Sequence, residues 1–104
     1  MAFEVISTPA AESDVREVIL YISRQSILAA AKWLMGFEDA LEKLSEFPLR
    51  FMPFPEEQTG GNLYRSCLYH SHRIIYRVDE ANKVVYIVRV YHVARMQLEL
   101  ADFD

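Results

Sequence analysis

Apolar and polar positions change their period along this chain, and the changes mark its elements. Residues 2–7 (Ala-Phe-Glu-Val-Ile-Ser) alternate weakly and predict a short strand. Thr8-Pro9 then supplies a helix start, with Thr as N-cap and Pro at the first helical position. Ala11, Val15, Val18, Ile19 and Ile22 follow at helical spacing and predict a first helix over 9–24. Ser26 is the next N-cap. Ala30, Leu34, Phe37, Leu41 and Leu44 carry a three-four repeat along a second helix over 27–46, which Pro48 stops. Gly36 is a weak point inside it, costing about 1 kcal/mol relative to Ala. So short a link between two long helices predicts an antiparallel hairpin, with the small side chains of Ala29, Ala30 and Ala31 allowing close approach.

Residues 48–61 hold three prolines and two glycines and read as a loop. Phe51, Met52 and Phe54 are too apolar for a free linker and are expected to fold back on the domain. Three β-rich runs follow, Leu63–Tyr69, Arg73–Val78 and Val84–Tyr91, with the polar cluster 79–83 joining the last two as a hairpin. Strict alternation puts Ile74, Tyr76 and Val78 on one face, with Val84, Tyr86, Val88 and Val90 on the matching face of the last strand. That face is apolar, so the helices should pack there. The other face collects Arg73, Arg77, Arg89 and Tyr91, and Arg65 joins it if the register allows. His92–Leu98 leaves the sheet as a helical turn. The expectation is a single α+β domain spanning 1–104: an N-terminal strand, a helical hairpin and a three-stranded antiparallel meander, forming one sheet with the helices on one face.

Charge sharpens this picture. The net charge of −4 argues against a general nucleic-acid binder. Residues 1–61 carry −5, residues 62–98 carry +4 and the last six carry −3, so a local basic face survives on an acidic protein. Hydrophobic residues make up 52% of the chain, which excludes disorder as the default. The single cysteine, Cys67, excludes an internal disulfide and reads as a small strand filler. Three histidines and one cysteine at these spacings form no zinc pattern, and neither a metal nor a cofactor is expected. No apolar run approaches the length of a membrane span and no leader pattern is present, so a cytoplasmic protein is expected.

The order of elements, with Leu41-x-x-Leu44-x-x-x-Pro48, Arg65, His72-Arg73-Ile74-Ile75-Tyr76-Arg77-Val78 and Ile87-Val88-Arg89-Val90-Tyr91-His92-Val93-Ala94-Arg95, resembles the RelE/ParE superfamily of toxin–antitoxin toxins. The resemblance covers roughly residues 3–96. The run at 72–78 is similar to the family's Tyr-Arg-Ile-x-Tyr-x-Val, with His72 where the family has Tyr. The closing segment is similar to its final strand and His-x-x-Arg.

The resemblance implies a toxin neutralised by a cognate antitoxin, and it offers two activities. RelE-like members cut messenger RNA on the ribosome, which would make Arg65, Arg73, His92 and Arg95 the candidate catalytic set. ParE-like members inhibit DNA gyrase without nuclease chemistry, which would make Arg73, Arg77, Arg89, Tyr91 and Arg95 a target-binding set. Val93 stands where the RelE pattern has a basic residue just past the last strand, and Glu99 where it has a tail tyrosine. His92-x-x-Arg95 is closer to the ParE-like form, so the gyrase reading leads. A third reading is a member that only binds its antitoxin.

Plainer roles stand beside these. Arginines on a sheet face are commonly just solvated, and His92 can bond the end of the sheet instead of moving protons. His70 and His72 fall at a hairpin tip and are expected to be solvated. Tyr91 can stack on a base or serve as an ordinary strand tyrosine. Trp33 and Phe37 belong to the core or to the antitoxin interface.

Overall fold

The computed structural model describes residues 2–51, 53 and 63–94. In chain order the elements are β1 (Glu4–Ser7), α1 (Pro9–Ser23), α2 (Ile27–Glu46), β2 (Arg65–Tyr69), β3 (His72–Asp79) and β4 (Val84–His92). One four-stranded sheet has the order β1-β4-β3-β2. β2, β3 and β4 form the antiparallel meander, while β1 pairs with β4 in parallel, so the sheet is mixed. Among the described residues no helix is long and apolar enough to cross a membrane.

Both helix starts follow the sequence. The Thr8 and Ser26 hydroxyls accept the amide N–H groups of Ala11 and Ala29 at 3.2 and 3.1 Å, satisfying donors that a helix N-terminus leaves open. Thr8 does more than cap. Its amide donates to the Ile87 carbonyl and its hydroxyl to the Val88 carbonyl, both at 3.0 Å, so the chain passes from β1 into α1 while still held to β4.

The core lies between the helices and one sheet face, where Ala11, Phe37 and Leu44 meet Cys67, Ile74, Tyr76, Val85, Ile87 and Val90. Ile74, Tyr76, Val85 and Ile87 are fully buried, each worth about 1.5–3 kcal/mol relative to exposure. Gly36 has a purpose here. The Tyr69 hydroxyl donates to the Trp33 carbonyl at 2.6 Å, and a Cβ on Gly36 would collide with that hydroxyl. The loop after α2 is pinned to the sheet from the same side. Tyr76 donates to the Pro48 carbonyl at 2.8 Å, and Arg65 donates to the carbonyls of Phe51 and Leu49. Phe51 packs against the core as expected. Met52, Phe54 and Gly60-Gly61 lie outside the described residues.

Strict alternation fails in β4. Tyr76 pairs with Ile87 but Ile75 pairs with Arg89, so Val88 is an extra residue in a β-bulge. Val85 and Ile87 therefore face the helices before the bulge and Val90 after it. Val88 joins Tyr64, Ile75 and Tyr91 in a second buried cluster on the opposite face. The face assignment expected for the first half of β4 is thus inverted, because an unbroken period of two cannot register an inserted residue.

Candidate functional site

The sheet face away from the helices carries Arg73, Arg77, Arg89 and Tyr91, built around the Tyr64–Ile75–Val88–Tyr91 cluster. Arg73 sits across from Tyr91 and donates from Nη1 to the Ser66 hydroxyl at 3.0 Å. Arg77, exposed, lies over the ring of its cross-strand partner Tyr86, 4.1 Å from the centroid. Arg89 stacks on Tyr91 at 4.6 Å. Guanidinium over aromatic faces is a favourable arrangement. It leaves planar cationic edges that suit carboxylates and phosphates.

Arg89 is the least available of the three. β1 ends opposite Ile87, leaving the edge of β4 open from Val88 onward, and α1 covers it. Asp14 of α1 accepts the Val90 amide at 2.9 Å and the Arg89 Nε and Nη2 at 2.7 and 2.9 Å. This ion pair is largely out of solvent, with side-chain exposures of 20% and 11%.

Arg65 does not join this face. It is paired with Tyr76 and shares the helix side of β2 with Cys67 and Tyr69. Its guanidinium is committed to loop carbonyls at the far end of the strand. His92 also lies on the helix side, beside His72 and hence next to the Tyr69 end of β2. Four residues of strand separate Arg65 from Tyr69, roughly 13 Å. Arg73 is on the other face altogether. The structure therefore places Arg73, Arg77, Arg89 and Tyr91 on one sheet face and leaves Arg65, Arg73 and His92 at three separate places. Arg95 lies outside the described residues. Of the segment expected to leave the sheet from His92 to Leu98, His92 is instead the last residue of β4, held by its pairing with His72. Val93 and Ala94 form a turn, and the rest lies outside the described residues.

A second feature lies between α1, the start of α2 and the β2–β3 turn. A groove of about 480 Å³ is lined by Val18, Tyr21, Ile22 and Trp33 on its apolar side and by His70, His72 and His92 on its polar side. His72 belongs to β3 and is half-buried rather than solvated, while His70 is exposed at the turn. Burial holds the His72 imidazole below the usual histidine range, and the neighbouring His92 and His70 add to the effect. Imidazoles can move protons near neutrality, but Arg65 lies at the far end of β2 from them, and Arg73, although next to His72 in the chain, takes the opposite sheet face. Among the described residues no group of three or more His, Cys, Asp or Glu is placed to hold a metal ion. Cys67 is buried, and that burial pushes its thiol up to about 11.

Asp14 is the partner of Arg89 that residue patterns do not expose, since it lies 75 positions from Arg89 and nothing local links them. The His72–His92 pairing depends on the bulge. Without the inserted residue, the hairpin register would set His72 against Tyr91.

Comparison with known proteins places this architecture. No curated protein sequence matches the chain. Among solved structures, the chain is similar to a chain of the toxin–antitoxin complex RelBE2 from Mycobacterium tuberculosis, at 27% identity and a TM-score of 0.60 over 88% of this chain and 99% of that one. It shares its fold with a chain of the chromosomal ParDE toxin–antitoxin system from P. aeruginosa, at 17% identity and a TM-score of 0.68 over 88% and 96%. The fold is also that of a mutant of the E. coli toxin RelE in the free state, at 16% identity and a TM-score of 0.58 over 94% and 90%. Residues 5–97 match the family described as the ParE toxin of the type II toxin–antitoxin system parDE, and the chain belongs to that family.

Proposed function

We propose that this toxin acts in the ParE manner, inhibiting DNA gyrase by protein–protein contact through the sheet face that carries Arg73 and Arg77, with Tyr91 buried beneath them. The observation that carries this reading is the dispersal of Arg65, Arg73 and His92, the nuclease candidates among the described residues. General acid–base cleavage of RNA needs a proton-transfer group and phosphate-binding cations within a few ångströms of one reacting phosphate. Arg65 bonds loop carbonyls, Arg73 faces away from the helices, and His92 lines the groove on the helix side. A protein-binding surface needs no such convergence. Cations stacked on tyrosines around a buried apolar cluster fit the composition of binding hot spots.

A cognate antitoxin would neutralise the toxin by covering the exposed apolar residues where the helices join. Leu20, Tyr21, Ile27 and Leu28 are 57–79% exposed there, and an apolar patch of this kind on a small protein is a binding surface by default. Gyrase as target places the action in the cytoplasm.

Two assays on the purified toxin decide the matter. Loss of supercoiling by purified gyrase, with intact mRNA in a translation extract, is the expected result. Codon-positioned cuts in ribosome-bound mRNA, with gyrase unaffected, would establish the RelE-like alternative instead. No response in either assay, with antitoxin binding retained, would leave a member that only binds its antitoxin.

A further inference from the structure

All three histidines of the chain meet at one end of the molecule. His72 and His92 are cross-strand partners with ring centroids 5.2 Å apart, and His70 occupies the β2–β3 turn. The turn is held against α2 by aromatic contacts. Trp33 packs edge-on against Tyr69 at 5.2 Å and His72 at 5.4 Å, and the Tyr69 hydroxyl bonds the Trp33 carbonyl. The turn after β4 is tied to the same place. The Val93 amide donates to the Ser71 carbonyl at 2.8 Å, and the Ala94 amide donates to His92 Nδ1 at 3.1 Å.

One of these contacts, the Ala94 bond to His92, requires a ring nitrogen that carries no proton: the amide can donate only while Nδ1 of that ring is unprotonated. Protonation at Nδ1 would set a donor against the Ala94 donor and break that bond. His72 Nδ1 is buried and has no hydrogen-bond partner among the described residues, so a proton added there gains no acceptor. Two imidazolium rings 5.2 Å apart would repel each other. The groups facing the cluster do not cancel this charge in place. Asp14 of α1 is occupied by Arg89 and the Val90 amide. Glu17 of α1 is exposed at the groove wall, where it can draw a charged imidazole outward. α2 contributes Trp33 to the lining, with Asp39 near enough to act on Tyr69.

We propose that His70, His72 and His92 form an acid-sensitive latch. Neutral, it holds the β2–β3 turn and the turn after β4 against α2; with His72 and His92 protonated together, it releases both and opens the groove. The sign follows from His72, whose proton affinity is lower folded than unfolded. Its contribution to the closed state is full above the ordinary histidine value near 6.5 and is lost as pH falls through the lowered folded value. The device acts within the chain and needs no partner, so its test is separate from the question of target.

The test is amide hydrogen exchange on the intact chain at about pH 7.5 and about pH 5, corrected for intrinsic rates, with the emission of Trp33, the sole tryptophan, followed over the same range. Val93 and Ala94 are expected to lose about tenfold or more of their protection at the lower pH, while Ile74–Val78 keep theirs. His72→Phe keeps a ring against Trp33 and cannot be charged, and it should abolish the transition. His92→Asn supplies an uncharged oxygen acceptor for the Ala94 amide and should keep that turn protected. Equal protection at both pH values, or a transition that persists unchanged in His92→Asn, overturns the latch even if His72→Phe fails to fold.

Discussion

The Arg89 guanidinium is forked onto the Asp14 carboxylate, with Nε and Nη2 at 2.7 and 2.9 Å from its two oxygens. The same carboxylate accepts the Val90 amide. One side chain of α1 thus closes the edge of β4 beyond the end of β1 and fixes a cation of the candidate surface. Asp14→Ala removes all three bonds and leaves a poorly solvated guanidinium without its carboxylate, so it is expected to cost about 3–5 kcal/mol. Asp14→Asn keeps one acceptor and should cost less. Urea unfolding of both variants checks the order.

Gly36 and Tyr69 form a second coupled pair. Ala in place of Gly inside a helix ordinarily gains about 1 kcal/mol. Here the new methyl group would meet the Tyr69 hydroxyl, so Gly36→Ala is expected to lose about 1–3 kcal/mol by overpacking. Tyr69→Phe alone loses the bond to the Trp33 carbonyl, about 1 kcal/mol. The double variant should be more stable than the sum of the two losses predicts, which a double-mutant cycle measures directly.

The loop after α2 hangs on two polar side chains of the sheet. Arg65→Met removes the donors to Phe51 and Leu49 and should cost about 1–3 kcal/mol. Because Tyr76 still holds Pro48, the loop should be freed fully only when Tyr76→Phe is added. Limited proteolysis around residues 48–53 reads this as slow cleavage in the single variant and fast cleavage in the double.

Cys67 tests the helix-side core. With its thiol pushed up to about 11 by burial, little thiolate exists at pH 8. Alkylation of the folded protein should be at least about tenfold slower than that of a free cysteine. In denaturant the difference should vanish.

Much of the fold was legible because its signals are local. Thr8-Pro9 and Ser26 marked the helix starts, Pro48 the stop, and the valine- and isoleucine-rich runs the strands, all confirmed within a few residues. Three features resisted because they are set by geometry across the chain. Val88 is one more valine in an apolar run, and nothing in its neighbours announces a bulge. The register of β2 decided which side Arg65 takes, and no alternation within β2 could decide it. Gly36 read as a weakness until Tyr69 arrived from a different element to occupy the space. The arginines were thus legible as a group, while their division between the outer sheet face and internal bonds was not.

We propose that the toxin's target meets the sheet face that carries Arg73 and Arg77, without a nuclease step. The most direct measurement is supercoiling by purified gyrase with wild-type toxin and with Arg73→Ala/Arg77→Ala. These arginines bond one hydroxyl and stack on one ring, so the variant should fold normally by circular dichroism. The account predicts inhibition by the wild type and a loss of about tenfold or more in potency for the variant, as for truncated hot-spot residues. Full potency in the folded variant, or mRNA cleavage with gyrase untouched, would contradict it.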